Sequence, residues 1–167
     1  ARMSTVRVPN RWGPLLASFA VAVLLMQLPW SGWLLMLRPD FLLIVVLYWT
    51  LHHPRRVGFS VAFFLGLLAD FQEGAVFGQH AMAYVVAVYL VLFLRLRLLQ
   101  FEPLQQAAQL FPVLLAAQLV VMLVGWIAYR PPEDLSILLP VLSGTVLWFA
   151  IALWQRTWRG KGMQESE

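Results

Sequence analysis

The chain reads as an all-α membrane protein, a compact bundle of six transmembrane helices with both termini in the cytoplasm. Composition is the first reason. Hydrophobic residues make up 61% and charged residues 12%, against about 25% charged in a soluble domain. Segmentation is the second, with apolar stretches at about 14–28, 39–51, 57–70, 80–94, 104–129 and 135–154. The third is where the basic residues fall. The termini and the even-numbered gaps hold ten of the twelve: Arg2, Arg7, Arg11, Arg55, Arg56, Arg95, Arg97, Arg156, Arg159 and Lys161. The odd-numbered gaps hold only Arg38 and Arg130. Short loops rich in Lys and Arg stay in the cytoplasm, so six crossings with both ends inside account for the split. Dropping any one crossing would reverse every later gap and erase the asymmetry.

Each element has its own rationale. Arg7 and Arg11 before the first apolar stretch resemble a signal peptide, but no small-residue cleavage site follows, and the stretch is expected to remain as the first span. Ala1 and Arg2 precede Met3, the expected natural start, and read as residues added in front of it; without Arg2 the charge asymmetry stands. The stretches at 39–51 and 57–70 cover about 20 Å as helix, against a hydrocarbon core of about 30 Å. They must recruit their flanks or sit inside the bundle. The fourth stretch, 80–94, ends at Arg95 on the cytoplasmic side. The fifth, 104–129, is long enough to tilt, with Pro112 as a kink. The sixth carries a soft spot of small and hydroxyl residues from Pro140 to Thr145 that a neighbour could approach. Aromatic girdles fall in register, with Trp12, Trp49, Trp154 and Trp158 at the inner interface and Trp30, Trp33, Trp126 and Tyr129 at the outer one.

The same residues exclude several functions. Without cysteine there is no disulfide, thiolate metal site or cysteine nucleophile. The positive charge is dispersed over short loops beside apolar spans, which reads as contact with anionic lipid, not as a nucleic-acid face. His52 and His53 beside Arg55 and Arg56 read the same way. No HExxH, GxSxG or GKS/T motif occurs, and the spacing from Asp70 to His80 matches no standard ligand pattern. The expectation is one membrane domain over 1–167, not an enzyme, with no cofactor and no metal.

Three features carry candidate function. In the third stretch Gly58, Ala62, Gly66 and Asp70 recur every four residues and line one narrow helical stripe. Small residues at that spacing let backbones approach closely, either as ordinary helix packing or to seat a partner. The outer helix ends collect Arg38, Asp40, Asp70, Glu73 and His80, a polar cluster that is either structural or a binding site. Pro39 suits the first turn of a helix and Asp40 the positive end of its dipole, while Asp70 is expected to pair with Arg38. Gln118, in the middle of the fifth stretch, must bond across helices or face a cavity, since an unpaired amide in hydrocarbon costs several kcal/mol.

A family resemblance rests on an ordered set of residues. Arg38-Pro-Asp leads an apolar run to Trp49; the basic turn runs from His53 through Pro54 to Arg56; Gly58-Phe59 leads to Gly66 and Asp70; and Gly74, Gly78 and His80-Ala81 follow. This set, from Arg38 to Tyr84, resembles the MreD family of bacterial rod shape-determining membrane proteins, closest to its proteobacterial members. The resemblance implies a multi-pass protein of the inner membrane and a non-enzymatic scaffold of the cell-elongation machinery. It would bind MreC and, through it, meet the RodA glycosyltransferase and its transpeptidase partner, with MreB filaments beneath, in support of peptidoglycan synthesis. It leaves room for a homo-oligomer within that complex. It also implies a fold similar to the substrate-binding subunits of energy-coupling-factor vitamin transporters, with the polar cluster at the mouth of an outward pocket. A small-molecule-binding subunit of such a transporter is the alternative function.

Overall fold

Every element of the computed structural model is helical. It describes residues 12–128 and 135–164. In order these are α1 (Trp12–Met26), the short α2 (Trp33–Met36), α3 (Phe41–His52), α4 (Phe59–Glu73), α5 (Gln79–Gln100), α6 (Pro103–Ile127), a 3-10 turn (Leu135–Leu138) and α7 (Leu139–Gln164). Arg2, Arg7, Arg11, Tyr129 and Arg130, which entered the charge and girdle arguments, lie outside the described residues. Trp33–His52, α5 and α6 are long and apolar enough to cross a membrane, and α1 is a shorter apolar helix.

The helix ends follow from local chemistry. α1 stops at a 3-10 type bond from Gln27 N to Leu24 O, and its last carbonyls are taken by side chains: Trp30 Nε1 donates to Leu25 O at 2.9 Å and Arg38 Nη1 to Met26 O at 3.2 Å. α3 begins where the Asp40 carboxylate accepts the Leu43 N–H at 2.9 Å, so Asp40 is the N-cap and Pro39 lies before the helix, not in its first turn. α4 ends on Gly74 in the left-handed region, φ 61°, with the Ala75 N–H returning to Asp70 O. Pro103 starts α6, where its missing N–H costs nothing, and Pro112 is carried inside the same helix.

Packing runs α4 on α5, α5 on α6 and α6 on α7, with α3 held between α1 and α5. The core is built around α3, whose buried residues include Leu42, Ile44, Val46, Leu47 and Leu51 and cover most of its circumference, leaving one half-buried face along Phe41, Val45, Tyr48 and His52. A helix buried around most of its circumference need not match the bilayer thickness, which accounts for its 12 residues. α4 is short for another reason. It buries only Ala62, Gly66, Ala69 and Asp70 and turns Phe59, Phe63, Phe64 and Phe71 outward. Trp49, assigned by sequence to the inner girdle, is instead buried and donates to Ser18 Oγ at 2.8 Å, tying α3 to α1. Trp12, assigned to the same girdle, has the Arg56 guanidinium 4.9 Å over its ring.

Candidate functional site

The outer polar cluster is assembled by the turn between α4 and α5. Gly66 lets the two helices cross backbone to backbone, since a Cβ there would lie 2.7 Å from Ala81 N and 2.8 Å from the His80 carbonyl carbon. That contact sets the start of α5 beside the end of α4. Ala62 lies on the same buried stripe, whereas Gly58 is the N-cap of α4 and has ordinary room around it, so the close approach begins one turn later than the spacing suggested. Gly74 at φ 61° and Gly78 at φ 96° make the connecting turn tight.

Asp70, 1% exposed, ends the stripe. Its Oδ2 accepts the Gly78 N–H at 2.8 Å, and its Oδ1 accepts the His80 N–H at 2.7 Å and lies 2.9 Å from His80 Nδ1. The carboxylate thus caps the N-terminus of α5 from the preceding helix, where exposed N–H groups and the helix dipole both favour negative charge. The expected pairing of Asp70 with Arg38 does not occur. Arg38 Nη2 instead meets Glu73 Oε1 at 2.5 Å, because Asp70 is consumed by the turn and Glu73 extends one helical turn further outward. Glu73 Oε2 also lies 3.3 Å from His80 Nε2, so both ring nitrogens face carboxylate oxygens. Desolvation raises the Glu73 carboxyl above the ordinary range; His80 and Arg38 pull it down, while Asp40 and Asp70 add to the rise.

Two residues complete the cluster without having been singled out by sequence. Buried Tyr84 donates its hydroxyl to Asp40, 2.6 Å from Oδ1 and 2.8 Å from Oδ2, locking α5 to the cap of α3. Its place four residues after His80, on one face of a helix, was the available signal. Gln79 Nε2 donates to Val121 O at 3.0 Å and ties the same helix start to α6. The cross-helix amide bonds are therefore made by Gln79, and near the inner end by Gln106, which donates to Leu98 O and accepts from Trp148 Nε1 at 3.2 Å. Gln118 makes no such bond. It faces a cavity, the other arrangement open to an intramembrane amide.

That cavity has two connected parts. The outer chamber, about 300 Å³, is lined by Arg38, Asp40, Glu73, Gln79, His80 and Gln118 among others. The inner part, about 30 Å³, descends between Ile44, Leu114, Val121 and Val141 and shares Asp40, His80, Gln118, Val121 and Pro140 with the chamber above. Arg38, Asp40, Glu73 and His80 thus stand around one opening, and Asp70 supports His80 from behind. Among the described residues no group of three or more His, Cys, Asp or Glu is placed to hold a metal ion. Ser143 donates within its own helix, to Pro140 O at 3.1 Å, and Ser18 to Leu15 O at 2.7 Å.

Comparison with known proteins adds to this geometry. The model of a family described as rod shape-determining protein MreD matches residues 7–157. Over 81 residues the chain is 35% identical to the rod shape-determining protein MreD of Haemophilus influenzae, covering 48% of this chain and 50% of that protein. The chain thus spans about half the length of the curated relative it matches. No solved structure matches it. A family match that begins before α1, crosses every long helix and ends within α7 places this chain in the MreD family of rod shape-determining membrane proteins.

Proposed function

We propose that the chain is a non-enzymatic inner-membrane scaffold of the cell-elongation machinery, which binds MreC and through it supports peptidoglycan synthesis and rod shape. The observation that carries this reading is the extent of the family match, residues 7–157, which takes in α1 to α6 and most of α7. The internal hydrogen bonding of the outer cluster supports a structural use for most of its groups. Asp70 caps α5, Asp40 caps α3, and Arg38 closes α1 against Glu73. RodA, its transpeptidase partner and MreB filaments would be reached indirectly. The test is co-extraction. The chain, purified in mild detergent from cells that also make MreC, should retain MreC in a stable complex; recovery of the chain alone under conditions that keep it folded would overturn the reading.

The topology belongs to the same proposal: six crossings with both ends inside, in a packing like that of energy-coupling-factor binding subunits. Its support is the split of ten basic residues against two. α4 would cross with the aid of its outward Phe residues and its contact with α5. Phe77→Cys, in the exposed turn before α5, should react with a membrane-impermeant maleimide applied from outside. Gln100→Cys, at the other end of α5, should not. The reverse labelling, or labelling of both, rules out this orientation.

A further inference from the structure

We propose that the outward cavity is a binding site for a compact organic cation, an ammonium or amidinium group on a small apolar body. The site is built, not incidental. Its walls come from the segment before α3 and from α4, α5, α6 and α7, and Arg38, Asp40, Glu73 and Gln79 are each fixed by a contact of their own. Volume places it at the small end of ligand sites.

The chemistry of the walls selects the charge. Arg38, His80, Asp40 and Glu73 line the chamber, and Asp70 adds a third carboxylate from behind His80. With the acids ionised, the cluster is net negative whichever protonation state His80 holds. Among the described residues lining the chamber Arg38 is the only full cation, and it is already committed to Glu73 and to Met26 O. An anionic ligand would therefore have to break an existing pair. Acceptor capacity is in better supply. A carboxylate offers about four lone-pair positions; Glu73 uses one toward Arg38 at 2.5 Å and one toward His80 at 3.3 Å, and Asp40 Oδ2 receives only the Tyr84 hydroxyl. A metal ion is the poorer occupant, because the described residues offer no group of three or more ligands around one point.

Gln118 is the second, separate observation. Its amide lies at the floor of the chamber and lines both parts of the cavity, with no hydrogen bond to the described residues. The side chain is half-buried and open to the chamber. Its carbonyl can accept an N–H from a ligand whose apolar body rests on Leu35, Pro39, Val121 and Pro140.

The test uses the detergent-purified chain and three probes of one shape: cyclohexylammonium, cyclohexanol and cyclohexanecarboxylate, each titrated to millimolar concentration while thermal unfolding is followed. Cyclohexylammonium should raise Tm saturably, and the alcohol and carboxylate should not. Glu73→Gln keeps a hydrogen-bonding group for Arg38 but removes the charge, and should weaken half-saturation by roughly tenfold. Gln118→Leu should weaken it as well, with the probe-free Tm close to that of the parent. Equal protection by the carboxylate, no saturable response to the cation, or an unchanged response in both variants would each overturn the assignment.

Discussion

α3 and α4 are both too short to span a bilayer unaided, yet the bundle holds them in opposite ways. α3 is gripped around most of its circumference by large apolar side chains, and no single contact dominates. α4 is attached along one stripe of small residues, ends that stripe on a buried acid, and presents its phenylalanines outward. In lipid, burying an apolar side chain gains little over leaving it among acyl chains, so packing distance and polar bonds decide helix association. The attachment of α4 should therefore be concentrated in few atoms, and that of α3 spread over many.

Substitution can break that contrast. Gly66→Leu should have the largest effect, about 3 kcal/mol or more, because even a methyl group there collides with the Ala81 backbone. Detergent thermal unfolding measures it, and Phe64→Leu on the outward face of the same helix should leave Tm nearly unchanged. A tolerated Gly66→Leu would mean that α4 is not fixed by its stripe.

Asp70→Asn comes next, at about 2 kcal/mol. The amide oxygen can keep one of the N–H bonds at the start of α5, but the amide nitrogen cannot accept the other, and the charge facing the helix dipole is lost. Because Arg38 is paired with Glu73, Asp70→Asn and Arg38→Gln should be close to additive in unfolding free energy, whereas Arg38→Gln and Glu73→Gln should not. Strong coupling between positions 38 and 70 would sink this arrangement of the cluster.

Leu47→Ala in α3 should cost least, about 1 to 2 kcal/mol. The cavity term remains, but the transfer term is small when the alternative environment is lipid. A loss as large as that of Gly66→Leu would show that α3 also depends on a single contact.

Much of this was legible in the sequence, for reasons that can be named. Periodicity of four put Ala62, Gly66 and Asp70 on one face, and one-dimensional charge placement marked Arg38, Asp40, Asp70, Glu73 and His80 as residues of the same end. The partners within that end were not legible. Arg38 can reach either Asp70 or Glu73, and the choice turns on whether Asp70 is already spent on the N–H groups of Gly78 and His80, which is a property of the folded turn. Tyr84 and Gln79 escaped because a tyrosine and an amide near an interface look like ordinary girdle residues until their partners are known. Trp49 failed as an interface marker for the same reason: its indole N–H had a hydroxyl to meet on α1.

The carboxylate of Asp70 has a consequence for how the protein enters the membrane. Its partners lie eight and ten residues later in the chain, so α4 leaves the ribosome before anything exists to satisfy its acid. An unpaired aspartate costs about 3 kcal/mol at the centre of a membrane helix and less toward its end, where Asp70 lies. That penalty falls only when the first turn of α5 has been made and folded back. The two helices should accordingly be released into the bilayer as a hairpin, with the second acting as the permit for the first.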